Sequence, residues 1–243
     1  MMNETVAIPI NFGNFSMQMF PSFDADEKLN SVKVIISHIN MTENTDPIIF
    51  DLTDQVEQID TSEIGSFPIK VKGEMYLDQS REKIIFDGFY SDESKNKGGS
   101  DFWLEIDPDY TFFKNSDKPI PSIPNLQCPP YPASIGSVQF DIDYSDSSAS
   151  TGIDDSSKNV IFEIFQLDQN SIAANGEPSK TRYLSAILSP GKKITGIDTS
   201  DKSKLHLTDF AGDIGFVRNR VFIDGNFESE NKVCCSFYLE ISV

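Results

Sequence analysis

Five aspartates crowd one stretch of the chain, FDIDYSDSSASTGIDDSS: Asp141, Asp143, Asp146, Asp154 and Asp155. Carboxylates interleaved with Ser hydroxyls suit a hard cation, since Ca²⁺ takes about six to eight oxygen ligands. The spacing is not that of an EF-hand. Asp146 stands where that loop needs Gly, and Gly152 stands where it needs the closing Glu. The stretch therefore has two readings, a Ca²⁺ site and a solvated polar loop, and no residue pattern suggests any other cofactor.

The remaining reactive side chains do not combine into a catalytic set. His38 and His206 each lie within an apolar strand-like run, SVKVIISHI and SKLHLTDF, with no Gly-x-Ser-x-Gly elbow beside them. Cys128, Cys234 and Cys235 are odd in number with two adjacent, which fits neither a disulfide framework nor a tetrahedral metal site. Cys234 and Cys235 read as small buried apolar side chains. Asp107 and Asp109 flank Pro108 at a strand exit, but a glycosidase needs a second acid across a cleft, and the sequence marks none. There is no phosphate loop or dinucleotide fingerprint. The chain reads as a non-enzyme.

Charge narrows the partners. At a net charge of −18 with no run of Lys and Arg, the chain lacks the basic footprint that nucleic acid requires. An anionic membrane surface is disfavoured for the same reason. No stretch approaches the ~18 apolar residues of a membrane span. The opening MMNETVAIPINFG has no basic region followed by a continuous apolar one, so it does not read as a signal peptide. The sequons at Asn3, Asn14 and Asn40 then carry no meaning, and the expected location is the cytoplasm or a virion.

The elements that must position these residues are strands. FSMQM alternates apolar and polar residues. SVKVIISHI, DPIIFDLT, FPIKVKGEMYL, NVIFEIFQL and TRYLSAIL are β-branched runs bounded by Asp, Asn, Ser or Gly. The best helix candidate is Thr53 to Ile64, TDQVEQIDTSEI. With 19 Phe among 243 residues, there is apolar material for real cores.

Two stretches repeat. KIIFDGFY (Lys83 to Tyr90) leads to DFWLEI (Asp101 to Ile106), and RVFIDGNF (Arg220 to Phe227) leads to SFYLEI (Ser236 to Ile241). GNFSMQM from Gly13 likewise matches GSVQFDI from Gly136. Between the copies lie Pro108, Pro119, Pro121, Pro124, Pro129, Pro130 and Pro132, a stiff connector, because proline favours extended chain and cannot donate to a ladder. The expectation is an all-β protein of two tandem antiparallel β-sandwiches, immunoglobulin-like or jelly-roll, arising by internal duplication. Residues 1–107 form the first, 108–135 the connector and 136–243 the second.

The repeated hairpin carries one further signal. Ile84, Phe86 and Gly88 should share a face with Phe102, Leu104 and Ile106, as should Val221, Ile223 and Gly225 with Phe237, Leu239 and Ile241. The opposite face should be polar, yet it holds Ile85 with Trp103 and Phe222 with Tyr238. These four residues are either a second small core or an interface. Asp87-Gly88 and Asp224-Gly225 interrupt the hairpins as turns, or as bulges that make room for a large neighbour. The function expected is a structural or assembly role through protein contacts in a homo- or hetero-oligomer, such as a virion subunit. The alternative is a loop-based ligand-binding or adhesion module using Ca²⁺.

Overall fold

The computed structural model describes residues 6–13, 15–38, 46–65, 67–78, 80, 82–93, 97–116, 120, 131–144, 159–172, 178–200 and 209–243. The first half of the chain forms β1 (Ile8–Phe12), β2 (Phe15–Phe23), β3 (Leu29–His38) and β4 (Ile48–Leu52). It continues through β5 (Glu57–Asp60), β6 (Ile69–Asp78), β7 (Lys83–Asp92) and β8 (Lys97–Pro108). A short helix α1 (Tyr110–Asn115) follows, begun by the Asp109 carboxylate, which accepts from Phe112 N at 2.8 Å. The second half forms β9 (Tyr131–Ile135), β10 (Val138–Tyr144), β11 (Val160–Ile172) and β12 (Pro178–Leu188). It closes with β13 (Lys192–Asp198), β14 (Asp209–Val217), β15 (Arg220–Ser229) and β16 (Lys232–Ser242).

All pairings are antiparallel, and they make two eight-stranded sheets. The first runs β12-β11-β10-β9-β1-β2-β3-β4 and the second β13-β14-β15-β16-β8-β7-β6-β5. The all-β expectation holds. Each half supplies four neighbouring strands to each sheet and changes sheet at an outer edge, from β4 to β5 and from β12 to β13. The halves meet in the middle, so both sheets run unbroken through the molecule. Asn11 lies opposite Ser134 where β1 meets β9, and Leu104 lies opposite Leu239 where β8 meets β16. Both are pairs of matched positions in the two halves. The seam thus has the self-complementary form of a two-fold contact. The range expected as connector, 108–135, takes in the last residue of β8, then α1, and ends with β9; residues 117–119 and 121–130 lie outside the described residues.

The two inner faces pack into one core. Phe12 of the first sheet stacks on Phe102 of the second at 4.6 Å, and Phe140 meets Phe210 edge-on at 5.4 Å. Alternation places every second residue of the repeated hairpins inward, as expected: Ile84 pairs with Ile106, Phe86 with Leu104, Val221 with Ile241 and Ile223 with Leu239.

The Asp-Gly pairs are not turns. Both lie inside strands, with Gly88 opposite Gly73 and Gly225 opposite Gly212. A Cβ on Gly88 would sit 2.4 Å from Phe102 Cζ, and one on Gly225 would sit 2.6 Å from Phe210 Cε2. The space they leave is filled by aromatic rings and, at Gly225, also by the Ala211 carbonyl oxygen at 2.4 Å, which is the packing reading.

The best helix candidate in the sequence, Thr53 to Ile64, does not form a helix along its length. Glu57–Asp60 pairs with β6, and only Thr61–Glu63 turns, as a single 3₁₀ turn. The segment is too short and too β-branched for a helix, while an open edge of β6 offers ladder bonds. The same place reveals a repeat missed in the sequence, IDTS at Ile59 to Ser62 and at Ile197 to Ser200. In each copy the Asp accepts from the Ser two residues on, Asp60 from Ser62 N and Asp198 from Ser200 N, both at 2.9 Å. In each the buried Thr hydroxyl accepts from the next strand, Thr61 from Val71 N at 2.9 Å and Thr199 from Phe210 N at 2.8 Å.

Candidate functional site

Ile85, Trp103, Phe222 and Tyr238 come together on the outer face of the second sheet. Their two hairpins are distant in sequence, but β8 pairs with β16, so the outward residues of β7, β8, β16 and β15 form one continuous surface. Across it runs one row of ladder neighbours, Tyr76, Ile85, Glu105, Tyr238 and Asp224. The adjacent row is Glu74, Asp87, Trp103, Glu240 and Phe222.

Each half builds the same small network there. In the first, Trp103 Nε1 donates to Glu105 Oε1 at 3.0 Å, and Lys83 Nζ donates to Glu105 Oε2 at 2.6 Å. In the second, the Tyr238 hydroxyl donates to Glu240 Oε2 at 2.5 Å, and Arg220 pairs with the other oxygen of Glu240. Lys83 and Arg220 open the two copies of the repeated strand, so aromatic, acid and cation are matched one for one. Burial pushes the Tyr238 hydroxyl up, and the carboxylates of Glu240, Asp224 and Glu105 push it further. Burial would also raise Glu240, but the Tyr238 hydroxyl and the Arg220 guanidinium hold it below the usual carboxylate range.

The four residues are not equally open. Ile85 is buried, at 2% exposure, yet lies outside the main core cluster, whereas Trp103, Phe222 and Tyr238 are half-buried. Phe222 stacks beside Tyr238 at 6.4 Å with Lys193 over its ring. Phe89 adds an outward ring on β7 at 41% exposure. The two Asp residues of the Asp-Gly pairs are exposed: Asp87 lies directly opposite Trp103, and Asp224 directly opposite Tyr238. Neither makes a hydrogen bond or ion pair among the described residues. The sequence named the aromatics but missed these acids, because Asp-Gly reads as a turn or a packing bulge and is structural either way; their shared spacing from Trp103 and Tyr238 was the available signal.

The acidic stretch looks different in the structure. Asp141 and Asp143 both lie on β10, on the side opposite Phe140 and Ile142, while Asp146, Asp154 and Asp155 lie outside the described residues. Among the described residues no three His, Cys, Asp or Glu gather in a metal-binding group. Asp141 is buried and accepts from Gln139 Nε2 at 2.5 Å. Burial pushes its carboxyl up, against the opposing pull of Gln139 and Lys180. Beside it, Asn11 Nδ2 donates to Ser134 Oγ at 3.1 Å across the junction of the halves. These polar groups hold the seam of the first sheet.

The other reactive residues that the structure describes are packed into the core or cap a helix. His38 stacks flat on Phe67 at 3.7 Å, and burial lowers its pKa. His206 and Cys128 lie outside the described residues. Cys234 and Cys235 are fully buried, and burial pushes the Cys234 thiol up to about 12 and raises that of Cys235 well above its ordinary value. Such thiols are poor nucleophiles. Asp109 caps α1. No helix among the described residues is long and apolar enough to cross a membrane. Compared with family models, with curated proteins and with solved structures, the chain matches none.

Proposed function

We propose that this protein is a non-catalytic assembly subunit, a building part of a virion or comparable large particle, and that it makes its contact through the outer face of the second sheet. One observation carries the reading: the matched residues of the two halves, Trp103 and Tyr238 with their Glu partners, merge into a single surface across the seam. Rings half-buried on a sheet face, rimmed by charge, are the composition of a contact core more than of a solvated face. Descent of the two halves from one duplicated module belongs to the same proposal. It is supported by the shared strand order, the two IDTS turns and the two glycine pairs.

The test is the mass of the native particle. A tagged chain purified gently from its own source and sized by chromatography with light scattering should run well above the 27.2 kDa of one chain. Trp103→Asp should release it, and so should Asp87→Lys, which changes only an exposed side chain and leaves folding intact. A 27.2 kDa species in both wild type and variants would overturn the reading.

A further inference from the structure

We infer that the partner seated on this face is a cationic polypeptide segment, an extended stretch carrying two Lys or Arg residues about four positions apart, and not a second copy of this chain. The inference rests on the assembly reading and names the chemistry of its partner. Among the described side chains of β7, β8, β15 and β16, the outward cations Lys83 and Arg220 already serve Glu105 and Glu240. That leaves Asp87, Asp101, Asp107 and Asp224 with no ion pair among the described residues. Two copies of such a face, in a chain of net charge −18, would meet acid to acid, and like charges brought together across a contact oppose it.

Asp87 opposite Trp103, and Asp224 opposite Tyr238, each set an exposed carboxylate and an electron-rich ring on neighbouring strands at the same ladder position. That pairing attracts an ammonium or guanidinium twice, by charge and by the ring quadrupole. The two pairs are related by the pseudo-two-fold, so they form a bivalent site. From β7 to β15 is three strand spacings, about 14 Å, and the two Asp residues are offset by two residues along the strands, about 7 Å, so they stand ~16 Å apart. An extended chain advances ~3.3 Å per residue. Cations at positions one and five of a peptide lie on the same side and span about 13 Å, and their long side chains cover the remainder.

Trp103 is the only tryptophan of the chain, so its fluorescence reports on this face alone. The probe is the blocked peptide Arg-Ser-Gly-Ser-Arg, titrated at low ionic strength against the full chain. We expect a saturable change in Trp103 emission that fades with added salt. Each of Asp87→Asn and Asp224→Asn should weaken binding by about 3-fold, and the double variant by roughly 10-fold. Arg-Arg-Ser-Gly-Ser, with the same charge but the wrong spacing, should bind several-fold more weakly. No saturable change, or a response unaltered in the double variant, overturns the inference. So does self-association of the pure chain through this face. In either case a native particle that Trp103→Asp dissolves would leave the assembly reading standing, whereas a native monomer would remove both.

Discussion

Gly136 stands at the seam, where its N–H donates to Pro9 O at 3.0 Å across the junction of the halves. It has φ +59° in the turn between β9 and β10, and a Cβ built there would lie 2.0 Å from Cζ of Phe227 and 2.9 Å from two other ring carbons. Phe227 is buried at 1% exposure, so its ring has no solvent side to retreat to. Gly136→Ala therefore incurs two separate penalties. Holding an L-residue in the left-handed region costs about 1–2 kcal/mol, and forcing a methyl into a filled core costs about 1–3 kcal/mol. The sum, roughly 2–5 kcal/mol, should lower Tm by ~4–20 °C for a chain of this size. Urea unfolding of a double-mutant cycle separates the terms. In a Phe227→Leu background the ring is gone and only the backbone penalty remains, so Gly136→Ala should then cost about 1–2 kcal/mol. The matched residue in the first half, Gly13 at φ +55°, meets looser contacts, the Tyr90 hydroxyl oxygen at 2.9 Å, Tyr90 Cε2 at 3.2 Å and Ile69 Cδ1 at 3.3 Å. Gly13→Ala should thus stay near the backbone penalty alone. Equal costs for Gly136→Ala in the Phe and Leu backgrounds, within ~0.5 kcal/mol, would refute the claim that ring packing is what demands glycine at the seam.

Two more outcomes follow from the IDTS turns. Thr61→Val or Thr199→Val removes the acceptor of a backbone N–H, that of Val71 or Phe210, and leaves that donor buried; each should cost about 1–3 kcal/mol in urea unfolding, with Ser in place of Val restoring most of it. Burial would raise Asp60, but the Lys72 ammonium and Ser62 hold it at about 2, below its ordinary value of 3.8. A depressed acid stabilises the fold above the unfolded pKa and loses that contribution as pH falls through the folded one. Asp60→Asn should therefore flatten the acid limb of a stability profile between about pH 4 and pH 2. The change should be only about a few tenths of a kcal/mol, because the pair is largely solvated; an unchanged limb would show that the Lys72 contact is not formed in solution.

Strand identity was legible where period-2 alternation met β-branched residues. FSMQM, SVKVIISH and the repeated hairpins lie in β2, β3, β7, β8, β15 and β16. The strands that escaped notice lack that signature. β1, IPINF, is buried on both faces, so it does not alternate. β9 lies among prolines, and β13, KKITGID, is an edge strand mostly open to water. The pairing of the halves was not legible at all. No local pattern says that β1 will find β9, because that choice is made by sheet edges seeking partners, a property of the folded half and not of any stretch of residues. For the candidate site the consequence was direct: the aromatics were identified as two separate faces, and only the β8–β16 ladder shows them to be one.

That ladder also explains why the unpaired acids matter more together than apart. One half alone would present one carboxylate beside one ring, and an exposed pair of that kind contributes at most about 1 kcal/mol to holding a cation. Joining the halves edge to edge places a second such pair beside the first at a spacing fixed by hydrogen-bonded strands, with no flexible tether to order. Once one cation of an extended segment has docked, the other is held near its site at an effective concentration in the millimolar range or above, so two weak contacts act as one stronger one. The same geometry makes the surface selective: a segment with its charges at another spacing gains the first contact and forfeits the second. The β8–β16 pairing, which stabilises the fold through its backbone ladder, is thus also what would turn two ordinary sheet faces into a ruler for a partner's charge spacing.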